Sequence, residues 1–252
     1  MDIDITFLQA DLAWQDIGEN LRRFSAEIDR IGKTDLIILP EMFTTGFTMD
    51  SANMSERMDG ETIRAMKFWA QSKSAPIVGS LIIEEDGHHY NRLIWMNPDG
   101  SFHKYDKRHL FRISGENEHF SPGKEKTHIE YKGWKFCPMI CYDLRFPVWS
   151  RSQDCDCLIY VANWPEKRIS HWETLLKARA IENQCYVLGV NRTGIDGNGH
   201  SYCASSMAVD YSGNRLNKGN ETIQTVRLSK SELNEFRKVF PAWMDADEFK
   251  IK

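Results

Sequence analysis

Trp134-Lys135-Phe136-Cys137-Pro138-Met139-Ile140-Cys141-Tyr142-Asp143-Leu144-Arg145-Phe146-Pro147 is an apolar run of strand length that ends in a polar turn carrying a thiol. A cysteine at the end of a buried strand, where the chain turns, stands clear of its neighbours. The backbone N–H of the next residue, Tyr142, is then free to point at a bound carbonyl oxygen. Cys141 is therefore a candidate nucleophile. Taken alone it reads more readily as a small buried hydrophobe, because free cysteines are often buried.

Outward from this stretch, Gly133 separates the strand from another before it. Downstream, 158–162 is a buried-strand pattern. Residues 170–183 read as a helix, with Trp172, Leu175, Leu176 and Ala180 on one face. Residues 186–190, 205–209 and 222–228 complete the strands, and Ser229 is placed to cap a last helix. Upstream, Ile3, Ile5 and Phe7 alternate with polar residues as in a half-buried strand. Ile17, Leu21, Phe24, Ile28 and Ile31 follow at helical spacing. The run 35–39 is continuously apolar, as in strands covered on both faces. A helix is expected at 61–72, and strands at 77–84 and 89–96 around the Asp86-Gly87 turn. Strands outnumber helices, and hairpin signals mix with βαβ-like units. The pattern predicts a layered α/β or α+β domain with mixed sheets. Neither an internal repeat nor a linker divides the chain, so 1–252 reads as one domain.

The 252 residues suffice to bury a large core. Hydrophobic residues make up 41% and charged residues 27%, an ordinary globular composition. With 32 basic and 36 acidic side chains the net charge is -4, which offers no footprint for nucleic acid or an anionic membrane. Apolar runs fall short of the roughly 20 residues that span a bilayer. The first ten residues carry Asp2 and Asp4 without a basic cluster, unlike a secretory signal. The six cysteines are accordingly expected as reduced thiols in a cytoplasmic protein. Cys155 and Cys157, one residue apart, lack the second close pair that structural zinc requires.

Two further residues suit chemistry. Glu41 closes the run Leu36-Ile37-Ile38-Leu39-Pro40. An acid beside a buried strand end is partly desolvated, which suits it to general-base work. Lys107, in Lys104-Tyr105-Asp106-Lys107-Arg108-His109, is a cation able to steady a thiolate or an oxyanion. Alone, each also reads as a solvated loop residue.

Together the three stretches resemble the nitrilase superfamily. Its signatures appear in order as Leu39-Pro40-Glu41-Met42-Phe43, Tyr105-Asp106-Lys107-Arg108-His109-Leu110 and Ile140-Cys141-Tyr142-Asp143-Leu144-Arg145-Phe146-Pro147. Ser121-Pro122-Gly123, Tyr160-Val161-Ala162-Asn163-Trp164-Pro165 and Lys177-Ala178-Arg179-Ala180-Ile181-Glu182-Asn183 extend the likeness across most of the chain. The resemblance implies a four-layer α-β-β-α sandwich of two mixed sheets, packed as a homodimer or higher homo-oligomer. It implies neither metal nor organic cofactor. Glu41, Lys107 and Cys141 become a catalytic triad acting through a thioester, with the Tyr142 N–H helping to hold the oxyanion. The resemblance also implies a second carboxylate a few residues before Ser-Pro-Gly, with Glu116 favoured over its competitor Glu118.

Cys-Tyr-Asp-Leu-Arg-Phe-Pro with Ala-Asn-Trp-Pro looks like the omega-amidase branch. The implied substrate is the ω-amide of a short 2-oxo dicarboxylic monoamide, 2-oxoglutaramate or 2-oxosuccinamate. Arg145 is a candidate partner for its free carboxylate, or alternatively a structural arginine under the turn. Trp164 and Phe47 are candidates for the pocket wall. Residues 201–206 depart from the branch, with Cys203-Ala204 where a glycine and a charge are usual. Other readings are a nitrile, N-carbamoyl or other amide hydrolase, a non-catalytic binding protein on this fold, and a redox or zinc protein built on Cys155 and Cys157.

Overall fold

The computed structural model describes residues 2–152 and 154–249. In chain order, β1 (Ile3–Leu8) leads into α1 (Ile17–Arg30) and β2 (Leu36–Ile38). The short α2 (Ser51–Met54), the longer α3 (Glu61–Lys73), and strands β3 (Ile77–Glu85), β4 (His88–Met96) and β5 (Phe102–Asp106) follow. The one-turn α4 (Glu116–His119) precedes the hairpin of β6 (Ile129–Tyr131) and β7 (Trp134–Ile140). Next come α5 (Pro147–Ser150), β8 (Cys157–Ala162), α6 (Ile169–Asn183) and β9 (Tyr186–Asn191). A ribbon of β10 (Gly194–Ile195) and β11 (Ser201–Tyr202), then β12 (Met207–Val209), β13 (Ile223–Leu228) and α7 (Lys230–Val239) complete the set.

Two mixed sheets form. The first has the order β13-β1-β2-β3-β4-β5, the second β12-β9-β8-β7-β6. Each has a parallel centre, β1-β2-β3 and β7-β8-β9, with antiparallel strands at its margins. The period-2 alternation of side chains divides the first sheet between two cores. Leu36, Ile38, Val78, Leu93 and Trp95 face the second sheet, and Ile37, Leu39, Ile77, Leu81 and Ile94 face the helices α1 and α3. Burial on both faces explains why these strands read as continuous apolar runs. On the far side, Trp172, Leu176 and Ala180 of α6 cover the second sheet. Gly189 in β9 lets α6 come this close: a Cβ there would sit 2.5 Å from Leu176 Cδ1 and 2.7 Å from Trp172 Cζ2. The layers are therefore α-β-β-α, as the resemblance implied.

Local signals work as expected at several ends. Asp16 caps α1 by accepting from Glu19 N at 2.9 Å, and Ser229 caps α7. Two readings need correction. Residues 102–106, to which the sequence assigned no strand, form the edge strand β5. An edge strand with Phe102, His103 and Lys104 exposed shows no apolar run to detect. The strand expected at 205–209 begins only at Met207, because Ser206 turns its hydroxyl to accept from Asn191 N at 3.0 Å. Among the described residues, no helix is long and apolar enough to cross a membrane.

Candidate active site

Four strands of the two sheets end at one place. In the first sheet β5 runs antiparallel to β4 and β4 antiparallel to β3, so β5 shares the direction of β2 and β3. Just beyond the ends of β2 and β5 lie Glu41 and Lys107. Just beyond the ends of β7 and β8 lie Cys141 and Asn163. Carboxyl ends of parallel strands are where open α/β sheets collect their ligands.

The chain turns sharply beside both candidate reacting groups. Met42 and Cys141 each have φ of +43°, a left-handed conformation that costs a non-glycine residue about 1–2 kcal/mol. Each turn is clamped. Met42 N donates to Ser80 Oγ at 2.9 Å. The Cys141 turn is held by the fully buried Asp143, whose Oδ2 accepts from Ile140 N at 3.0 Å and Tyr105 Oη at 2.7 Å. Asp143 Oδ1 accepts from His109 N at 3.0 Å and lies 2.7 Å from His109 Nδ1. The same carboxylate thus ties the nucleophile turn to the segment that carries Lys107.

Below the thiol, Glu41, Lys107 and Glu116 are all buried. Lys107 Nζ donates to Glu41 Oε1 at 2.8 Å and to Glu116 Oε1 and Oε2 at 2.9 and 3.0 Å. Asn91 Nδ2 adds a bond to Glu41 Oε1 at 2.8 Å. Asn163 N reaches Glu41 Oε2 at 2.8 Å, and its Nδ2 reaches the Glu41 carbonyl at 2.6 Å. Glu116 Oε2 also accepts from Phe111 N at 2.6 Å. Glu118 is exposed, so Glu116 is the second carboxylate of this cluster. Gly123 of the Ser-Pro-Gly element allows the backbone contact that follows Lys107. Its N donates to Lys107 O at 2.9 Å, and a Cβ would lie 2.0 Å from Asp106 O.

Burial pulls the Lys107 ammonium toward neutrality, but Glu116 and Glu41 outweigh it and hold the ammonium above the usual lysine range. Burial pushes the Glu116 carboxyl up, with Lys107 opposing and Glu41 adding to the rise. The Cys141 thiol is pushed well above its ordinary value, first by burial and then by Glu41, against the pull of Lys107. A protonated thiol beside a carboxylate and a fixed cation is equipped to lose its proton as it attacks a carbonyl carbon.

Cys141 and Lys107 border a pocket of about 350 Å³. Phe47, Tyr142, Arg145 and Trp164, all singled out in the sequence, lie on its wall, and the Phe47 ring centroid is 5.0 Å from Lys107 Nζ. The departing segment 201–206 sends Tyr202 into the same wall. Sequence reasoning missed Asn91, Asp143 and Arg168, and gave Asn163 no role. Their signals were slight: a polar Asn91-Arg92 pair inside an apolar strand, and an asparagine closing another. Cys155 and Cys157 lie buried elsewhere, with Cys155 Sγ donating to Cys157 O at 3.0 Å.

A thiol, a carboxylate and a buried ammonium thus gather at the strand ends of an α-β-β-α sandwich. The chain matches the carbon-nitrogen hydrolase family over residues 6–238 and belongs to it. It is 44% identical to the omega-amidase YafV of Escherichia coli (strain K12), over 99% of this chain and 98% of that one. It is 33% identical to the 2-oxoglutaramate amidase of Bacillus subtilis (strain 168), over 96% of each. The crystal structure of XC1258 from Xanthomonas campestris, a CN-hydrolase superfamily protein with an arsenic adduct in its active site, superposes over the whole of both chains with a TM-score of 0.97 at 38% identity.

Proposed function

We propose that the protein is an omega-amidase, hydrolysing the ω-amide of a short 2-oxo dicarboxylic monoamide to the 2-oxo acid and ammonia. The observation that carries the chemistry is the buried Glu41–Lys107–Glu116 cluster set beneath Cys141 at the pocket. Glu41 takes the thiol proton as Cys141 Sγ bonds to the amide carbon. The carbonyl oxygen becomes an oxyanion held by Lys107 Nζ and the Tyr142 N–H. Glu41 returns the proton to the amide nitrogen, the C–N bond breaks, and ammonia leaves a thioester. Water then attacks with Glu41 again as base; the C–S bond breaks and the thiol recovers its proton. Glu116 positions Lys107. Asn163 and Asn91 hold the Glu41 carboxylate so that little reorganisation is needed in the transition state.

The substrate class is supported by the basic side chains of the pocket wall, among them Arg145, and by the named activities of the YafV and Bacillus subtilis relatives. The working unit is read as a single 252-residue domain in a cytoplasmic homodimer or larger homo-oligomer, acting without metal. Exposed Ile181, Val239, Phe240, Trp243 and Met244 are apolar surface of the kind subunit contacts cover.

The deciding assay measures ammonia released from 2-oxoglutaramate and 2-oxosuccinamate beside glutamine, a simple nitrile and an N-carbamoyl amino acid. The 2-oxo amides are expected at a kcat/KM of about 10⁴ M⁻¹s⁻¹ or more. Turnover of another compound while these stay inert would refute the substrate. A Cys141→Ala protein that is folded yet releases ammonia at the wild-type rate would refute the mechanism.

A further inference from the structure

Two guanidinium groups, those of Arg145 and Arg168, share the pocket wall, and among the described residues neither forms an ion pair. Arg145 lies with its Cζ 4.7 Å from the Trp164 ring centroid, and its Nη2 lies 3.2 Å from His171 Nδ1. Arg168 lies immediately before α6. Its carbonyl accepts from Trp164 Nε1 at 2.8 Å, and its Cζ stands 5.2 Å from the Phe111 ring centroid. Aromatic faces thus aim both side chains. Arg145, Arg168 and Cys141 line the same pocket.

The buried arginines Arg92, Arg179 and Arg192 are each matched by a carboxylate. Arg92 meets Asp106 at 2.6 Å and Glu85 at 2.8 Å, Arg179 meets Glu182 at 3.0 Å, and Arg192 meets Asp11 at 2.9 Å. Among the described residues, neither Arg145 nor Arg168 has such a carboxylate. The one carboxylate on the pocket wall is Asp196, and its oxygens are taken. Oδ1 accepts from Asn198 N and His200 N at 2.9 Å each, and Oδ2 accepts from Tyr202 Oη at 2.7 Å. Two like charges held together in a half-buried pocket repel one another until an anion enters between them. Guanidinium groups suit a carboxylate in particular, through paired N–H donors. An ammonium group meets four cations on this wall, Lys107, Arg145, Lys167 and Arg168, against the single acid Asp196.

We propose that Arg168 is a specificity-determining residue, gripping the substrate's far carboxylate together with Arg145 and turning away substrates that carry an α-ammonium. This rests on the amidase reading above. It goes beyond it by assigning anion selection to a residue outside the catalytic cluster.

The test compares wild type, Arg168→Met and Arg168→Lys on 2-oxoglutaramate, on glutaramate, which has the carboxylate without the oxo group, and on neutral pentanamide. Arg168→Met is expected to raise KM for both anionic amides about 10- to 100-fold, the loss of one charged, paired contact, while kcat and the pentanamide reaction stay within about threefold. Arg168→Lys recovers part of the loss. Equal losses on the anionic and neutral amides, or none on either, would overturn the proposal. Calorimetry of 2-oxoglutarate binding to the Cys141→Ala protein gives a readout free of turnover. An affinity that Arg168→Met leaves unchanged overturns the clamp. If 2-oxoglutaramate is inert but glutaramate reacts with the expected Arg168 dependence, the clamp stands and the 2-oxo substrate falls. If no amide is hydrolysed, the amidase reading falls and the calorimetry still decides the clamp.

Discussion

Asp143 makes and breaks no bond in the proposed reaction, yet it meets the Ile140 N–H, the Tyr105 hydroxyl and both His109 donor positions. It neutralises the cost of a left-handed Cys141 by paying into the turn that follows. Replacing it with alanine strands those donors in a buried site. Asp143→Ala is expected to cost about 3 kcal/mol in urea unfolding and to lower kcat more than it raises KM. A stable variant with intact kcat would show that the turn holds without it. The thiol itself makes a second prediction. Its acidity is lowered by burial and by Glu41, so the neutral form is favoured in the folded protein. Alkylation of Cys141 by iodoacetamide, followed by peptide mass spectrometry, is expected to stay slow with no inflection between about pH 6 and pH 8, below the ordinary thiol value. An inflection there would mean a resting thiolate paired with Lys107 instead.

At the scale of elements, the Ser-Pro-Gly segment and strand β5 act as one device. Gly123 packs against the carbonyl of Asp106 and bonds the carbonyl of Lys107, so the backbone that delivers the ammonium is gripped from outside. A Cβ at 123 meets backbone, which has nowhere to retreat. Gly123→Ala is expected to destabilise by about 1–3 kcal/mol, the usual cost of overpacking, and to cut kcat at least about tenfold by displacing Lys107. Wild-type kcat in that variant would separate the segment from catalysis. Much at this scale was legible beforehand. Helices α1, α3, α6 and α7 and the inner strands announced themselves by periodicity, and the Ser229 cap by residue type. Strand β5 did not, because an edge strand with one buried residue in five carries little pattern.

For the whole molecule, the decisive contact is that between the sheets. Trp95 of β4 and Phe136 of β7 meet across it, with ring centroids 5.1 Å apart. The sheet interface sets the distance between Glu41 and Lys107 on one side and Cys141 and Asn163 on the other. Phe136→Ala is expected to cost about 3–5 kcal/mol in chemical denaturation, with loss of activity in whatever fraction remains folded. Activity undiminished per folded molecule would show that the catalytic cluster holds its own geometry.

The residues of the chain determine which types of chemistry are available, since a thiol, an acid and a lysine each close or follow a recognisable stretch. Their ordered motifs also point to the layered fold and to a choice between Glu116 and Glu118. The sequence favours Glu116 of these two, and the tertiary structure supplies the reason: that side chain is carried inward to Lys107 while Glu118 faces solvent. Tertiary structure alone brings Asn91, Asn163 and Arg168 to the neighbourhood of Cys141 from segments apart in the chain. Periodicity reports which face of an element is buried. It carries no record of which distant side chain arrives opposite, because that is settled by how the two sheets stack and where their strands end.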